Sequence, residues 1–129
     1  MKTALAALML ALASPALAQG AAAGATAPAA KPGVVDGATA KALVASGAKV
    51  VDVRTPQEFA SGHVPGAINI PYEEVGKRIA EIGPPSTQVV LYCRTGRRSG
   101  IAADALKKAG FQNLYDMQTV TSWPGALAK

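Results

Sequence analysis

Two short apolar runs, Lys49 to Val53 and Val89 to Tyr92, constrain this chain of 129 residues more than any other feature. The first is β-branched and bounded, and both read as buried strands. Helix-like segments alternate with them. Thr39 to Ser46 is one, ended by Gly47. A second opens at Thr55-Pro56-Gln57-Glu58, with an N-cap, a proline in the first turn and an acid completing a capping box, and it stops by Gly62. Tyr72 to Ile82 is a third, closed by Gly83-Pro84-Pro85. Ser99 to Ala109 is a fourth, with Gly110 as its stop. Ala67 to Ile70 and Asn113 to Tyr115 add short strands, and Val120 to Leu127 a weak helical tail. The alternation predicts an α/β domain with a mainly parallel sheet. Ligands of such sheets bind beyond the carboxyl ends of the strands.

The amino terminus reads differently. Met1-Lys2 is a short positive start, Ala4 to Leu12 is unbroken apolar, and Ala16-Leu17-Ala18 is a small-x-small cleavage pattern. Residues 1–18 therefore read as a secretory signal peptide, too short in its apolar part for a membrane span. Residues 19–33 are Ala, Gly and Pro with one Gln, one Thr and one Lys, a flexible linker by composition. Residues 34–129 form the expected domain. Cleavage after Ala18 predicts a periplasmic or secreted protein with no membrane anchor.

In such a compartment a lone cysteine is conspicuous. Cys93 is the single cysteine of the chain. It has no partner for an internal disulfide, so it is either inert in a core or reactive. It follows the Val89 to Tyr92 strand, precedes a helix start, and is followed by Arg94-Thr95-Gly96-Arg97-Arg98. A helix amino terminus and nearby arginines lower a thiol pKa, and the thiolate is the nucleophile. Gly96 lets the backbone turn so that several N–H groups can cradle an anion. The three arginines add charge-assisted donors. The formal net charge of +5 is modest. With few aromatics and no basic helix it argues against nucleic acid and for a small anionic substrate.

Cys93-Arg94-Thr95-Gly96-Arg97-Arg98-Ser99 resembles the active loop of rhodanese-type sulfurtransferases. Val51-Asp52-Val53-Arg54, Glu58-Phe59 and Gly62-His63-Val64-Pro65-Gly66-Ala67-Ile68-Asn69-Ile70-Pro71 are similar to the family's other signature, in the same order and spacing. The likeness runs from about Val34 to Trp123. It implies a five-stranded parallel sheet flanked by helices on both faces. It also implies a thiosulfate sulfurtransferase: Cys93 attacks the outer sulfur of thiosulfate, sulfite leaves, and a Cys93 persulfide passes its sulfur to cyanide or a thiol. The backbone amides of Arg94, Thr95, Gly96, Arg97 and Arg98 would hold the persulfide. Arg98 is expected at the substrate oxyanion, with Arg94 and Arg97 steering from the rim. Related phosphatases and arsenate reductases separate cysteine and arginine by five residues, which would put the arginine at Ser99; here four residues separate Cys93 from Arg98.

Other residues carry less. Asp52 and Arg54 are expected as a partly buried ion pair ordering loops, with a charge near the site as the alternative. Glu58 reads as a capping residue. His63, the single histidine, is an acid–base candidate that an already ionised thiolate does not need. One His and one Cys do not make a metal ligand set, and no cofactor is implied. The small domain without an obvious apolar patch predicts a monomer. Related domains often carry Gly-Gly ahead of the late tryptophan; here Asp116-Met117-Gln118-Thr119-Val120 precedes Trp123, which leaves the pocket rim and the natural donor open. A persulfide carrier for a partner protein, or an oxyanion reductase or phosphatase, remains as an alternative.

Overall fold

The computed structural model describes residues 30–129. The signal peptide read at 1–18 and linker residues 19–29 lie outside the described residues. The elements run β1 (Gly33–Val34), α1 (Gly37–Ala45), β2 (Lys49–Asp52), α2 (Pro56–Ala60), β3 (Ile68–Asn69), β4 (Val89–Cys93), α3 (Arg97–Lys108) and β5 (Leu114–Thr119). The five strands form one sheet in the order β1-β5-β4-β2-β3, and every pairing is parallel. This is the α/β architecture that the alternation predicts. Strand β1 takes in Gly33, a residue that composition puts in the linker, because Gly33 and Val34 find backbone partners at Tyr115 and Asp116.

Strand pleating sorts the core onto two faces. Val50, Val90, Tyr92, Tyr115 and Met117 pack with Ala40 and Leu43 of α1. Val51, Val89, Leu91, Cys93 and Leu114 pack with Ala102 and Leu106 of α3. Helices thus cover both faces, and Cys93 shares the α3 face with Val89 and Leu91. Helices α1 and α2 start where the sequence supplies a side-chain cap, whereas α3 starts at Gly96 without one. The Asp36 side chain accepts from Thr39 N–H at 2.8 Å ahead of α1, and the Thr55–Glu58 capping box opens α2.

Three segments differ from expectation. Tyr72 to Ile82 is not one helix but two 3-10 turns, Val75–Lys77 and Ile79–Glu81. Gly76 weakens a helix by roughly 1 kcal/mol relative to Ala, and Arg78 leaves helical geometry at φ −118 and ψ 29. Burial of Val75 and Ile82 then decides the path. Strand β5 runs on to Thr119 instead of ending at Tyr115. Its polar residues hide the strand pattern, but β4 pairs with it as far as Thr119, and β1 pairs on its other side at Tyr115 and Asp116. The helical tail reduces to one 3-10 turn, Val120–Ser122, stopped by Pro124 and Gly125. The chain then returns to an antiparallel bridge between Ala128 and His63.

Beyond β2, a buried ion pair holds the excursion through α2. Asp52 is fully buried and Arg54 nearly so. The Arg54 Nε donates to both Asp52 carboxylate oxygens at 3.0 Å, and Nη2 donates to Oδ2 at 2.6 Å and to the Gly62 carbonyl at 2.7 Å. The guanidinium also lies 5.4 Å from the centre of the Tyr92 ring. Asn69 Nδ2 ties the same corner to the Asp52 and Arg54 carbonyls at 3.0 and 2.9 Å. Removing one partner of a buried pair strands the other charge, so Asp52→Ala should lose about 3–5 kcal/mol in urea unfolding. A loss below about 1 kcal/mol, the worth of an exposed pair, would contradict this role.

Candidate active site

The site is built where β4 ends and α3 begins. The apolar residues of β4 bury the strand up to Cys93, whose residue is inaccessible to solvent. Arg94, Thr95 and Gly96 then turn the chain over the thiol into α3. The turn needs Gly96, which adopts φ 99 as the residue before the helix. It points the Gly96 N–H at Cys93 Sγ, 2.9 Å away.

From the first turn of α3, the buried Ser99 hydroxyl lies 3.7 Å from Sγ and 3.1 Å from the Gly96 carbonyl oxygen; its one proton serves the carbonyl when Cys93 is a thiol and turns to Sγ when Cys93 is a thiolate. Burial opposes ionisation of Cys93. Hydrogen bonds from the Ser99 amide and hydroxyl and from the Gly96 and Thr95 amides outweigh it, so the thiol lies below its ordinary pKa. Negative charge on this sulfur is therefore favoured by the loop's own donors.

The arginines divide into two kinds. Arg94 and Arg97 are exposed and make no ion pair among the described residues. Arg98 is half-buried and forms a two-pronged pair with Glu58, Nη1 to Oε1 at 2.9 Å and Nη2 to Oε2 at 3.1 Å. Glu58 Oε1 also accepts from the Thr55 amide at 3.0 Å. The residue expected as a cap is thus a cap and an arginine anchor together. Arg98 first, then the Thr55 amide and hydroxyl, overcome partial burial and hold the Glu58 carboxyl at about 2.

The remaining candidates are engaged with partners other than the thiol. Asp52 and Arg54 satisfy each other at the end of β2. The His63 ring stacks on Phe59 with centroids 3.7 Å apart, and its Nδ1 donates to the Phe59 carbonyl at 2.9 Å. Its neighbours tie the α2 loop to the chain terminus rather than to the thiol. Two residues that the sequence reading did not select stand beneath the loop: Ser99 and Asp116. Burial pushes the Asp116 carboxyl up, countered by the Ser99 side chain and the Gln118 amide. Ser99 had a signal, since a small hydroxyl residue in the first helical turn can face back to the preceding loop. Asp116 had none, because its setting depends on the pairing of β5. A cavity of about 450 Å³ between β1 and α3 reaches Asp116 and Gly100 but none of residues 93–98.

The Rhodanese-like domain family matches residues 37–119, which hold β2, β4, the Cys93 loop and all of β5. The chain belongs to the rhodanese-like family. A thiosulfate sulfurtransferase of Escherichia coli, PspE, is 43% identical over 65 residues, covering 50% of this chain and 62% of that protein. A putative sulfur carrier protein of Bacillus subtilis, YrkF, is 35% identical over 77 residues, covering 59% of this chain and 41% of that one. The chain thus spans about two fifths to three fifths of the length of these two curated relatives. Among solved structures, a rhodanese with anions from E. coli is 34% identical, with a TM-score of 0.60 over 63% of this chain and 96% of that one. The five-stranded parallel sheet and the loop at the carboxyl end of β4 are therefore those of a rhodanese-like domain.

The Glu58–Arg98 pair has a pH signature. A carboxyl depressed in the fold stabilises it fully above the unfolded value of about 4.3, and that stability disappears as pH falls toward the folded value. With the folded value at about 2, the stability advantage of wild type over Glu58→Gln should shrink as pH falls from about 4.5 toward 2. Urea midpoints measured across that range check this; a constant difference would contradict the pair's contribution.

Proposed function

We propose that the protein is a thiosulfate:acceptor sulfurtransferase working through a Cys93 persulfide. The observation that carries this reading is the short Gly96 N–H to Sγ hydrogen bond inside a loop that lowers the thiol's pKa. The Cys93 thiolate attacks the outer sulfur of thiosulfate. A sulfur–sulfur bond forms to Cys93, the bond to the sulfonate sulfur breaks, and its electron pair leaves on sulfite. The persulfide anion keeps the negative charge that the thiolate brought, so the same amides serve both states. Attack on its outer sulfur by cyanide releases thiocyanate and returns the thiolate; a thiol acceptor carries the sulfur away as its own persulfide. No proton need be moved to begin, so His63 has no required part.

The charge around the loop supports a dianionic donor. Arg94 and Arg97 supply exposed positive charge for steering. We assign Arg98 to the substrate oxyanion; its pair with Glu58, which fixes the guanidinium, supports a positioning role. The four-residue spacing from Cys93 to Arg98 favours a sulfane sulfur over a phosphate tetrahedron. We propose that residues 1–18 direct export and that the protein is a periplasmic monomer whose domain begins near residue 34. Among the described residues, no helix is long and apolar enough to cross a membrane.

One second reading has specific support. YrkF is named a putative sulfur carrier, and the exposed arginines beside the loop equally suit delivery to an acidic partner surface. Mass spectrometry after thiosulfate treatment, followed by cyanide, separates these. We expect wild type to gain one sulfur atom at Cys93 and to make thiocyanate over many turnovers. Cys93→Ser should stay folded, gain no sulfur and make no thiocyanate. Loading without turnover would favour the carrier; no sulfur gain, or near-normal activity of Cys93→Ser, would overturn the mechanism.

A further inference from the structure

Gln118 is the one non-glycine residue with a positive φ, 71°, among the described residues. That conformation costs a side-chain-bearing residue on the order of 1 kcal/mol or more, and such strain persists where the surroundings impose it. Here the cause is visible. The register of β4 on β5 shifts between Leu91 and Tyr92, so that Leu91 faces Asp116 while Tyr92 faces Gln118. The Asp116 Oδ1 accepts the Gln118 N–H at 2.8 Å and fixes the turn.

The result is a side chain laid along the Cys93 loop. A Cβ placed on Gly96 would lie 3.3 Å from Gln118 Cβ, 3.4 Å from its Nε2 and 3.5 Å from its Cγ. Gly96 is also the residue whose N–H meets Sγ. Gln118 is exposed, so no apolar burial repays the strain. Its carboxamide has no hydrogen-bond partner among the described residues. A strained, solvent-facing amide against the loop that holds the nucleophile is a binding group without a ligand.

We propose that Gln118 determines donor specificity, its carboxamide N–H donating to a sulfonate oxygen of the sulfur donor while the donor's outer sulfur meets Cys93. This rests on the sulfur-transfer reading. The amide adds a directed donor without adding charge. It therefore favours donors that carry oxygens next to the sulfane sulfur over alkyl persulfides, whose carbon offers no acceptor there.

Initial rates of the full protein with thiosulfate and cyanide, beside Gln118→Ala, Gln118→Gly and Gln118→Glu, test this. A lost hydrogen bond to a charged group corresponds to roughly tenfold or more, so Gln118→Ala and Gln118→Gly should raise KM for thiosulfate about that much at nearly unchanged kcat. Gln118→Glu should raise it further by repulsion. Cys93 loading by a small alkyl persulfide should be unchanged in Gln118→Ala and Gln118→Gly. Gln118→Gly relieves the strained φ, so a rise in KM together with equal or higher thermal stability separates binding from loop support. An unchanged KM, or equal losses with both donors, would overturn the assignment while leaving Cys93 sulfur transfer intact. A wild type that takes no sulfur from thiosulfate would overturn both.

Discussion

Everything chemical in this molecule depends on one turn: a backbone that passes through a left-handed conformation at Gly96 and so aims its amide at the sulfur of Cys93. A buried thiol is ordinarily an inert apolar group, because burial penalises its anion. Here the loop offers donors at the point where burial would otherwise keep the proton on. The donors come from the backbone of Thr95, Gly96 and Ser99 and from the Ser99 hydroxyl. Backbone donors are cheap to preorganise, since the strand before them and the helix after them fix their directions. The apolar packing of β4 and the amphipathic α3 thus become part of the chemistry.

Around this turn, charge is distributed by tying most of it down. Arg54 is spent on Asp52 and holds the Gly62 corner. Arg98 is shared with Glu58, which is itself locked by the Thr55 cap. Arg94 and Arg97 are left facing solvent. Pairing with Glu58 offsets the charge of Arg98 and holds its guanidinium in one direction, so the unpaired positive charge of the loop sits on Arg94 and Arg97. The ion pair also couples α2 to α3 across the site.

What could be read from the sequence follows the range of the interactions. The strands β2 and β4, the Thr55 capping box and the Cys93 loop are written in adjacent residues, and their placement follows from local pattern. The joining of Glu58 to Arg98, 40 residues apart, is a tertiary contact that neither segment announces. The extension of β5 depends on its partners, so Asp116, Gln118 and Thr119 looked like loop residues until β4 paired with all three and β1 with Asp116. The helix expected over 72–82 failed because Gly76 and the pull of Val75 and Ile82 into the core outweighed helical propensity. Ser99 was visible in the sequence but had value only once its hydroxyl could be seen beneath the thiol.

Cys93 titrates below an ordinary thiol because the loop's donors outweigh its burial. Ultraviolet thiolate absorbance of the protein, followed against pH with Cys93→Ser as the blank, measures this directly. The account predicts an inflection below the ordinary cysteine value of about 8.5, with thiolate persisting as pH falls toward that inflection. An inflection at or above the ordinary value would mean that burial prevails over the loop's donors, and the reactive-thiolate account would fail.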